Sequence, residues 1–589
     1  MIENTYDIGE NLKQALQTYR KNNAIFVEEK IYTYEELYIQ SNTLKSAIIN
    51  FCGSNEQFIG ILCYRSINAY SGILGTLFSG HGYLPLNPAN PTDKLHKIIT
   101  VSECKTIILG EECADVFSAL ADITSPLTLL CPKPGEKIRA LQRKNTHHTF
   151  IFPEQFPTAD IASNVRIEEN SPAYMMFTSG STGEPKGIIV SHKNLYSYCV
   201  YSLERYQFNE NDRVSQMFDI TFDLSVHDIV TTFFSGACLY VVPKKSIMSP
   251  GEFIRKHQLT VWFSVPSIAM FMDRMKVLQK NSLPSLRYSL FCGEGLPCHT
   301  AQQWQSAAIN SIVDNLYGPT EATIAFMDYR WEQILENPCV NGLVSIGKPF
   351  KGLEVKLILD GKEVNSGELG ELCVSGNQVV QGYFKNDKLT KEKFISFSDE
   401  PGEIWYRTGD LARKLDNNNY AFLGRIDDQL QIRGYRVEMS EIDKAVRDAI
   451  GHQMAVSVPI LSEENKSVAE DVVAFVEAHT GQPTEAEVIA YCKSVLADYM
   501  VPSSIYFIPN MPLNANGKID KKALLPMIDQ ISFNMDEAPT LSSNKHDIRC
   551  SVCLKSLEED KSLNGIGLIK IVNHQGHDDY ICHICLKGF

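Results

Sequence analysis

The stretch Tyr174-Met-Met-Phe-Thr-Ser-Gly-Ser-Thr-Gly-Glu-Pro-Lys-Gly-Ile-Ile-Val-Ser-His192 decides the fold. Its apolar start, Tyr174 to Phe177, predicts a buried strand, and Ile188 to Val190 predicts a second. Between them lies a loop of small residues. Gly180, Gly183 and Gly187 let the backbone turn tightly and approach a ligand. Thr178, Ser179, Ser181 and Thr182 offer hydroxyls, the loop offers backbone N–H groups, and Lys186 offers a point charge. A nucleotide triphosphate needs such donors, with no bulky side chain between them and its oxygens. A flexible Ser/Gly surface turn has the same composition. The common P-loop is excluded, because it ends Gly-Lys-Ser/Thr at a helix start, whereas here the lysine precedes a glycine and a strand.

Other motifs follow in order along the chain. They are Ile31-Tyr-Thr-Tyr-Glu-Glu-Leu37, Gly82-Tyr-Leu-Pro-Leu-Asn-Pro88, Asn315-Leu-Tyr-Gly-Pro-Thr-Glu321 and Tyr406-Arg-Thr-Gly-Asp410. Further on stand Gly424-Arg-Ile-Asp-Asp-Gln-Leu-Gln-Ile-Arg-Gly-Tyr-Arg-Val-Glu438 and Pro512-Leu-Asn-Ala-Asn-Gly-Lys-Ile-Asp520. With the loop, this series resembles the adenylate-forming superfamily over roughly residues 10 to 525. That superfamily comprises acyl- and aryl-CoA ligases, luciferase-like enzymes and the amino-acid adenylation domains of nonribosomal peptide assembly. Asn87 departs from the family's usual aspartate in the second motif.

The resemblance implies roles. ATP would be held by Thr178, Ser179, Gly180, Ser181, Thr182, Gly183 and Lys186, and by Tyr317 (stacking on adenine), Gly318, Thr320, Glu321, Asp410 (ribose), Arg425 and Lys518. Glu321 would hold Mg2+, whose hard character suits oxygen ligands. Lys518 would bridge the acid's carboxylate and the nucleotide, and with Thr178 and Glu321 would carry the chemistry. Two anions must meet in this reaction, so the site has to neutralise charge. Taken singly, Lys518 could be a turn lysine, Asp410 a turn residue or helix cap, and Glu321 a helix-start carboxylate.

The segment Phe218-Asp-Ile-Thr-Phe-Asp-Leu-Ser-Val-His-Asp228 holds two Phe-Asp pairs. Distance to Ser235-Gly-Ala-Cys-Leu-Tyr240 favours Asp223 over Asp219 as the aspartate that amino-acid adenylation domains pair with a substrate ammonium. A buried carboxylate is costly unless a cation arrives. By position, the substrate pocket would also include Leu224, His227, Ser267, Leu290, Cys292, Leu316, Ile324 and Ala325, with Lys518. Leu290-Phe-Cys-Gly-Glu-Gly-Leu-Pro297 is similar to D-alanine–carrier protein ligases, where a cysteine crowds the Cα substituent. His227 departs from that pattern. A small amino acid follows: alanine of either hand, serine, glycine or cysteine. The expected protein is a stand-alone amino-acid–carrier protein ligase acting on a phosphopantetheinylated carrier in trans, since no carrier site follows in the sequence. The alternatives are an acyl- or aryl-CoA ligase and a noncatalytic binding protein on the same fold.

The 589 residues exceed one ordinary core. Alternating apolar strands (Phe58 to Cys63, Cys238 to Val242) and amphipathic helices (Asn194 to Leu203, Gly251 to Gln258) predict an α/β large domain over 1–426. The resemblance adds a mobile α+β small domain over 427–525, with a hinge at Asp427 and with Gly434 lining a thiol tunnel. A linker over 526–545 and a tail over 546–589 complete the division. The tail carries Cys550-Ser-Val-Cys553 and Cys582-His-Ile-Cys585, two knuckles with the spacing of a structural Zn2+ site, like a zinc ribbon.

Net charge is −15, from 55 basic and 70 acidic residues, which argues against nonspecific nucleic-acid binding. No apolar run is long enough for a membrane span, and the N-terminus lacks a signal-peptide pattern. Sixteen cysteines, mostly single and in apolar stretches, predict reduced thiols and a cytoplasmic setting.

Overall fold

The computed structural model describes residues 6–527, apart from 122–124, 164, 179–184, 248–249, 332–338, 398–399, 401, 427–428, 433, 453, 463–467, 479–481, 513–518, 520 and 522, together with the strand backbones 568–572 and 578–582. The chain forms two compact units, Met1–Ile519 and Asp520–Phe589.

The opening stretch folds as its apolar pattern demands. Pro172–Thr178 and Lys186–Ser191 are antiparallel neighbours at one end of a seven-stranded sheet. The remaining strands of that sheet run parallel, in the order Thr149–Ile151, Thr128–Leu130, Thr106–Leu109, Phe58–Leu62, Gly82–Pro85 and then Pro172–Thr178. Ser191 ends the second strand and caps the helix His192–Tyr206, exchanging hydrogen bonds with Asn194. Thr33 and Glu36, inside the first of the quoted motifs, form the same kind of box at the start of the helix Tyr34–Phe51.

A nine-stranded sheet carries most of the site. Its strands Cys238–Val241, Arg213–Gln216, Val261–Ser264, Tyr288–Phe291 and Ile312–Tyr317 run parallel as adjacent neighbours. In open parallel sheets, ligands bind beyond the carboxyl ends of the strands. The segments leaving those ends here are 217–223, 265–267, 292–295 and 318–321. An antiparallel sheet built on Leu369–Ser375, Trp405–Lys414 and Tyr420–Arg425 follows.

After Arg425 the chain builds a separate five-stranded sheet: Tyr435–Glu438, Gln429–Ile432, Val468–Glu477, Ala455–Leu461 and Ser504–Ile508. The helices Met439–Ile450 and Glu485–Val495 pack on it. Ile432, Val437, Ile442, Val446, Val488 and Cys492 belong to a core of its own. The result is an α/β fold with a large N-terminal and a smaller C-terminal domain.

In the second unit, Leu568–Val572 pairs antiparallel with Asp578–Cys582, with Leu568 opposite Cys582. Cys550, Cys553 and Cys585 lie outside the described residues, so the zinc expectation falls there. Among the described residues, no group of three or more His, Cys, Asp or Glu is placed to hold a metal ion, and no helix is long and apolar enough to cross a membrane.

One expectation needs correction. Cys298 and Cys339 form a disulfide, with Cα atoms 6.4 Å apart. The hairpin Cys339–Val340/Leu343–Val344 lies against the start of the helix Cys298–Ala307, held by Cys298 N–H to Gly342 C=O (2.9 Å) and Val344 N–H to Leu296 C=O (2.8 Å). Forty-one residues separate the pair in sequence, so spacing alone does not announce their contact. Among the described residues ten other cysteines, Cys292 among them, are free thiols.

Candidate active site

A cavity of about 740 Å3 opens beyond the strand ends. Asp223, Leu224, Cys292, Leu316, Tyr317, Gly318, Thr320, Asp410, Arg425 and Gly434 all line it. Residues from five separate motifs thus meet in one space. His227, Ser267, Leu290, Ile324 and Ala325 are not in its lining; His227, Leu290, Ile324 and Ala325 are buried, with no more than 1% exposed. Ser179, Gly180, Ser181, Thr182, Gly183, Asp427 and Lys518 lie outside the described residues.

The two Phe-Asp pairs separate cleanly. Asp219 Oδ1 accepts from Thr221 N–H (2.9 Å) and Thr221 Oγ1 (2.6 Å), which makes it a local turn residue. Asp223 opens the helix Leu224–Phe234 without capping it and faces the cavity. Its Oδ2 has no hydrogen-bond partner among the described residues. Burial pushes its carboxyl up to about 7, against the Thr320 hydroxyl, which favours the charged form.

Two of the residues expected in the substrate pocket are neutral. Burial pushes the Cys292 thiol up, so it is a small hydrophobe rather than a nucleophile. His227 Nδ1 meets the Tyr198 hydroxyl at 2.7 Å, and its ring packs among Phe263, Phe208 and Tyr206. Burial drives it down to about 3, which keeps it neutral.

Asp410 is mid-strand, not in a turn. Asp410 on Trp405–Lys414 stands directly opposite Arg425 on Tyr420–Arg425. Its Oδ1 accepts from Arg425 and its Oδ2 from the Tyr317 hydroxyl, in short contacts. Gly318 has to be glycine, because a Cβ there would lie 2.6 Å from Ala325 Cα. Thr178 ends its strand opposite Lys186.

Glu321 is buried beside these groups. Its Oε1 accepts from the Tyr383 hydroxyl at 2.6 Å and its Oε2 from Arg436 Nη1 at 2.9 Å. Burial opposes its charge, but the Arg436 guanidinium and the Tyr383 hydroxyl outweigh it and hold the carboxyl below its ordinary value. Lys186 Nζ lies 3.0 Å from Glu438 Oε1.

Four of these residues are not singled out by the sequence. Arg436, Glu438 and Tyr383 are three. The fourth, Glu294, accepts from Ser267 N–H at 2.8 Å and is pushed by burial up to about 7. Arg436 and Glu438 do carry a signal: they stand two apart on a strand, so their side chains share a face.

The family model for AMP-binding enzymes matches residues 12–384, and that for the AMP-binding enzyme C-terminal domain matches 455–518. The chain belongs to this family of adenylate-forming enzymes, AMP-forming ligases that use ATP and Mg2+. The Vibrio cholerae adenylation domain AlmE, solved in complex with glycyl-adenosine-5'-phosphate, is 34% identical with a TM-score of 0.81, over 89% of this chain and 98% of that one. A dimodular nonribosomal peptide synthase of Bacillus subtilis is 31% identical over 90% of this chain, and gramicidin S synthase 1 of Brevibacillus brevis 29% over 86%. The chain spans only 21% and 43% of those two synthases.

Proposed function

We propose that this protein activates a small amino acid (alanine, serine, glycine or cysteine) and passes it to a carrier protein on a separate chain. One observation carries the reading: Asp223 faces the cavity, buried, with an oxygen that nothing else satisfies among the described residues. A fatty or aryl acid would leave that carboxylate stranded, whereas an α-ammonium completes it. The glycyl-adenylate bound to AlmE and the peptide synthases among the relatives support the same substrate class.

In the first step an oxygen of the amino acid's carboxylate bonds to the α-phosphorus of ATP, and the bond to the β-phosphate oxygen breaks. Pyrophosphate leaves and aminoacyl-AMP remains. Asp223 fixes the ammonium, and Cys292 and Leu316 limit the side chain. Asp410 and Tyr317 address the nucleoside, and Lys186 addresses its phosphates. Mg2+ when bound would neutralise phosphate charge, and Glu321 would hold it. Lys518 would neutralise both reacting anions. Orientation and charge neutralisation supply the acceleration. In the second step the sulfur of a phosphopantetheine thiol bonds to the acyl carbon, the thiol gives up its proton, and AMP leaves; Gly434 lines the thiol's path. Cys550, Cys553, Cys582 and Cys585 would hold a structural Zn2+, for which metal analysis should return one zinc per chain.

The test is amino-acid-dependent ATP–pyrophosphate exchange across both enantiomers of the small amino acids. One strong signal, lost in Asp223→Ala, is expected. Exchange on simple carboxylic acids alone would move the protein to the CoA-ligase branch.

A further inference from the structure

The second step leaves a proton to place. A thiol that bonds to the acyl carbon gives up its proton, and none of the residues assigned above receives it. One buried titratable group of the cavity has no role yet. Glu294 follows the strand Tyr288–Phe291 and lines the cavity together with Cys292.

Glu294 is held from two sides. Its Oε2 accepts from Ser267 N–H at 2.8 Å. The Ser267 hydroxyl and the Gly434 N–H also favour its charged form, so all three donors are uncharged. Its Oε1 has no hydrogen-bond partner among the described residues, and the residue is only 7% exposed. Two glycines bring these groups together. Gly293 has φ +92° and Gly434 φ +84°, and a Cβ on them would lie 3.3 Å and 2.7 Å from Val265 Cγ1. Both backbones close on the same side chain, which makes Gly434 a neighbour of the segment that carries Glu294.

We propose that Glu294 is the general base of the transfer step, and that the partner missing from its Oε1 is the phosphopantetheine thiol. The inference rests on the reading of the protein as one that passes an amino acid to a thiol, with Gly434 on the thiol's path. An ammonium fixed by Asp223 sets the amino acid against Cys292, two residues before Glu294. A thiol arriving past Gly434 comes up beside Glu294 on its way to the acyl carbon. The sulfur bonds to that carbon as its proton passes to Oε1. The bond from the carbon to the phosphate oxygen of AMP breaks, and AMP leaves with the bonding electrons. Glu294 then returns the proton to water.

The electrostatics agree. Burial raises the Glu294 carboxyl to about 7, and a base works best with a pKa near the operating pH. The other titratable groups of the cavity wall are occupied. Asp410 has Arg425 and Tyr317, Arg436 has Glu321, and Cys292 stays a thiol. Asp223 is taken by the ammonium.

The test separates the two half-reactions. Exchange is measured first, on the amino acid with the strongest signal. Aminoacyl-AMP is then formed on the full chain and on its Glu294→Gln and Glu294→Asp variants. Single-turnover transfer to pantetheine is followed by mass spectrometry from about pH 5.5 to about pH 9.5, a range that spans the shifted carboxyl and an ordinary thiol. With the adenylate in place Asp223 is already paired, so its ionisation does not enter the profile. The unaltered protein should transfer faster as pH rises to about 7 and then level off, since only ionised Glu294 takes a proton. Glu294→Gln should lose at least about 100-fold more in transfer than in exchange. Its residual transfer should keep rising towards about pH 8.5, where a free thiol ionises by itself. Glu294→Asp keeps a carboxylate and should restore part of the rate and the plateau. A residue that merely holds Ser267 and Gly434 in place would lower the rate in Glu294→Gln without changing the shape of the profile, and that result would overturn the base. Equal losses in the two half-reactions would overturn it too, as would an unaltered protein whose transfer never levels off. Exchange with no transfer to pantetheine by the unaltered protein would overturn the transfer step and its base while amino-acid activation stands. No exchange on any amino acid would fail the substrate reading and the base together.

Discussion

The two ends of the candidate site are finished differently. In the cavity wall, Asp223 keeps a buried oxygen without a partner among the described residues. At the other end, Glu321, Lys186 and Asp410 each have a charged partner: Arg436, Glu438 and Arg425. One end lacks a cation among the described residues, whereas the other is neutralised by the protein's own charges. A lone buried charge selects its ligand, because the wrong one leaves the penalty in place. A charge already paired within the protein imposes no such penalty.

The largest break in that comparison is Asp223→Ala. Removing one partner of a buried charge pair costs about 2–5 kcal/mol. Amino-acid-dependent exchange should fall by about 30-fold or more, while nucleotide affinity stays within about twofold. An equal loss of both would mean the two ends are not separable. At the other end, Glu321→Gln leaves Arg436 buried without its carboxylate. Breaking such a pair destabilises by about 3–5 kcal/mol. Urea unfolding of the ligand-free protein should show a loss of that order, whereas Asp223→Asn, which removes an unpaired charge, should show none.

The unequal legibility of the two ends has a physical origin. The strands either side of the loop, the capping box at Thr33 and Glu36, and the parallel sheet follow from apolar periodicity and local hydrogen bonding, which are written in consecutive residues. Asp223 was legible because its neighbours form a motif, and the structure separates it from Asp219 by giving the latter a turn to hold. The pairing of Lys186 with Glu438 joins residues 252 apart and depends on where the small domain settles. No local pattern encodes that distance. Glu294 was hidden for a similar reason, since its work is to hold the backbone of Ser267 on a neighbouring segment. His227 stands in the motif yet is spent on Tyr198 and an aromatic shell, which its sequence position does not reveal.

The cavity also has a covalent feature. Asn341, Leu343 and Val344 line it, and the hairpin that carries them is bound to the helix Cys298–Ala307 by the Cys298–Cys339 disulfide. A cross-link spanning a loop of this size contributes about 2–4 kcal/mol, mainly by restricting the unfolded chain. Cys339→Ser should lower the apparent Tm under oxidising conditions and match the unaltered protein in dithiothreitol. An unchanged Tm would show that the hydrogen bonds from Cys298 and Val344 hold the hairpin without it.

The smallest effect sharpens the comparison most, because it has opposite signs for folding and binding. Burial pushes Asp223 and Glu294 up to about 7, above the ordinary carboxylate range. Between that range and about pH 7 the folded protein therefore holds protons that the unfolded chain has released. Ligand-free stability should fall as pH rises through this window, by at most about 1.4 kcal/mol per pH unit for each group. Asp223→Asn removes one share of that slope and leaves the share of Glu294. Amino-acid binding needs Asp223 ionised, so affinity should climb as pH rises towards 7, by up to about tenfold per unit, and level off above it. Calorimetric titrations from about pH 5.5 to 7.5, a range set by the shifted carboxyls, run beside urea unfolding at the same values, check both slopes. Slopes of the same sign would mean that Asp223 already has a cation partner in the ligand-free protein, and the contrast between the two ends of the site would be lost.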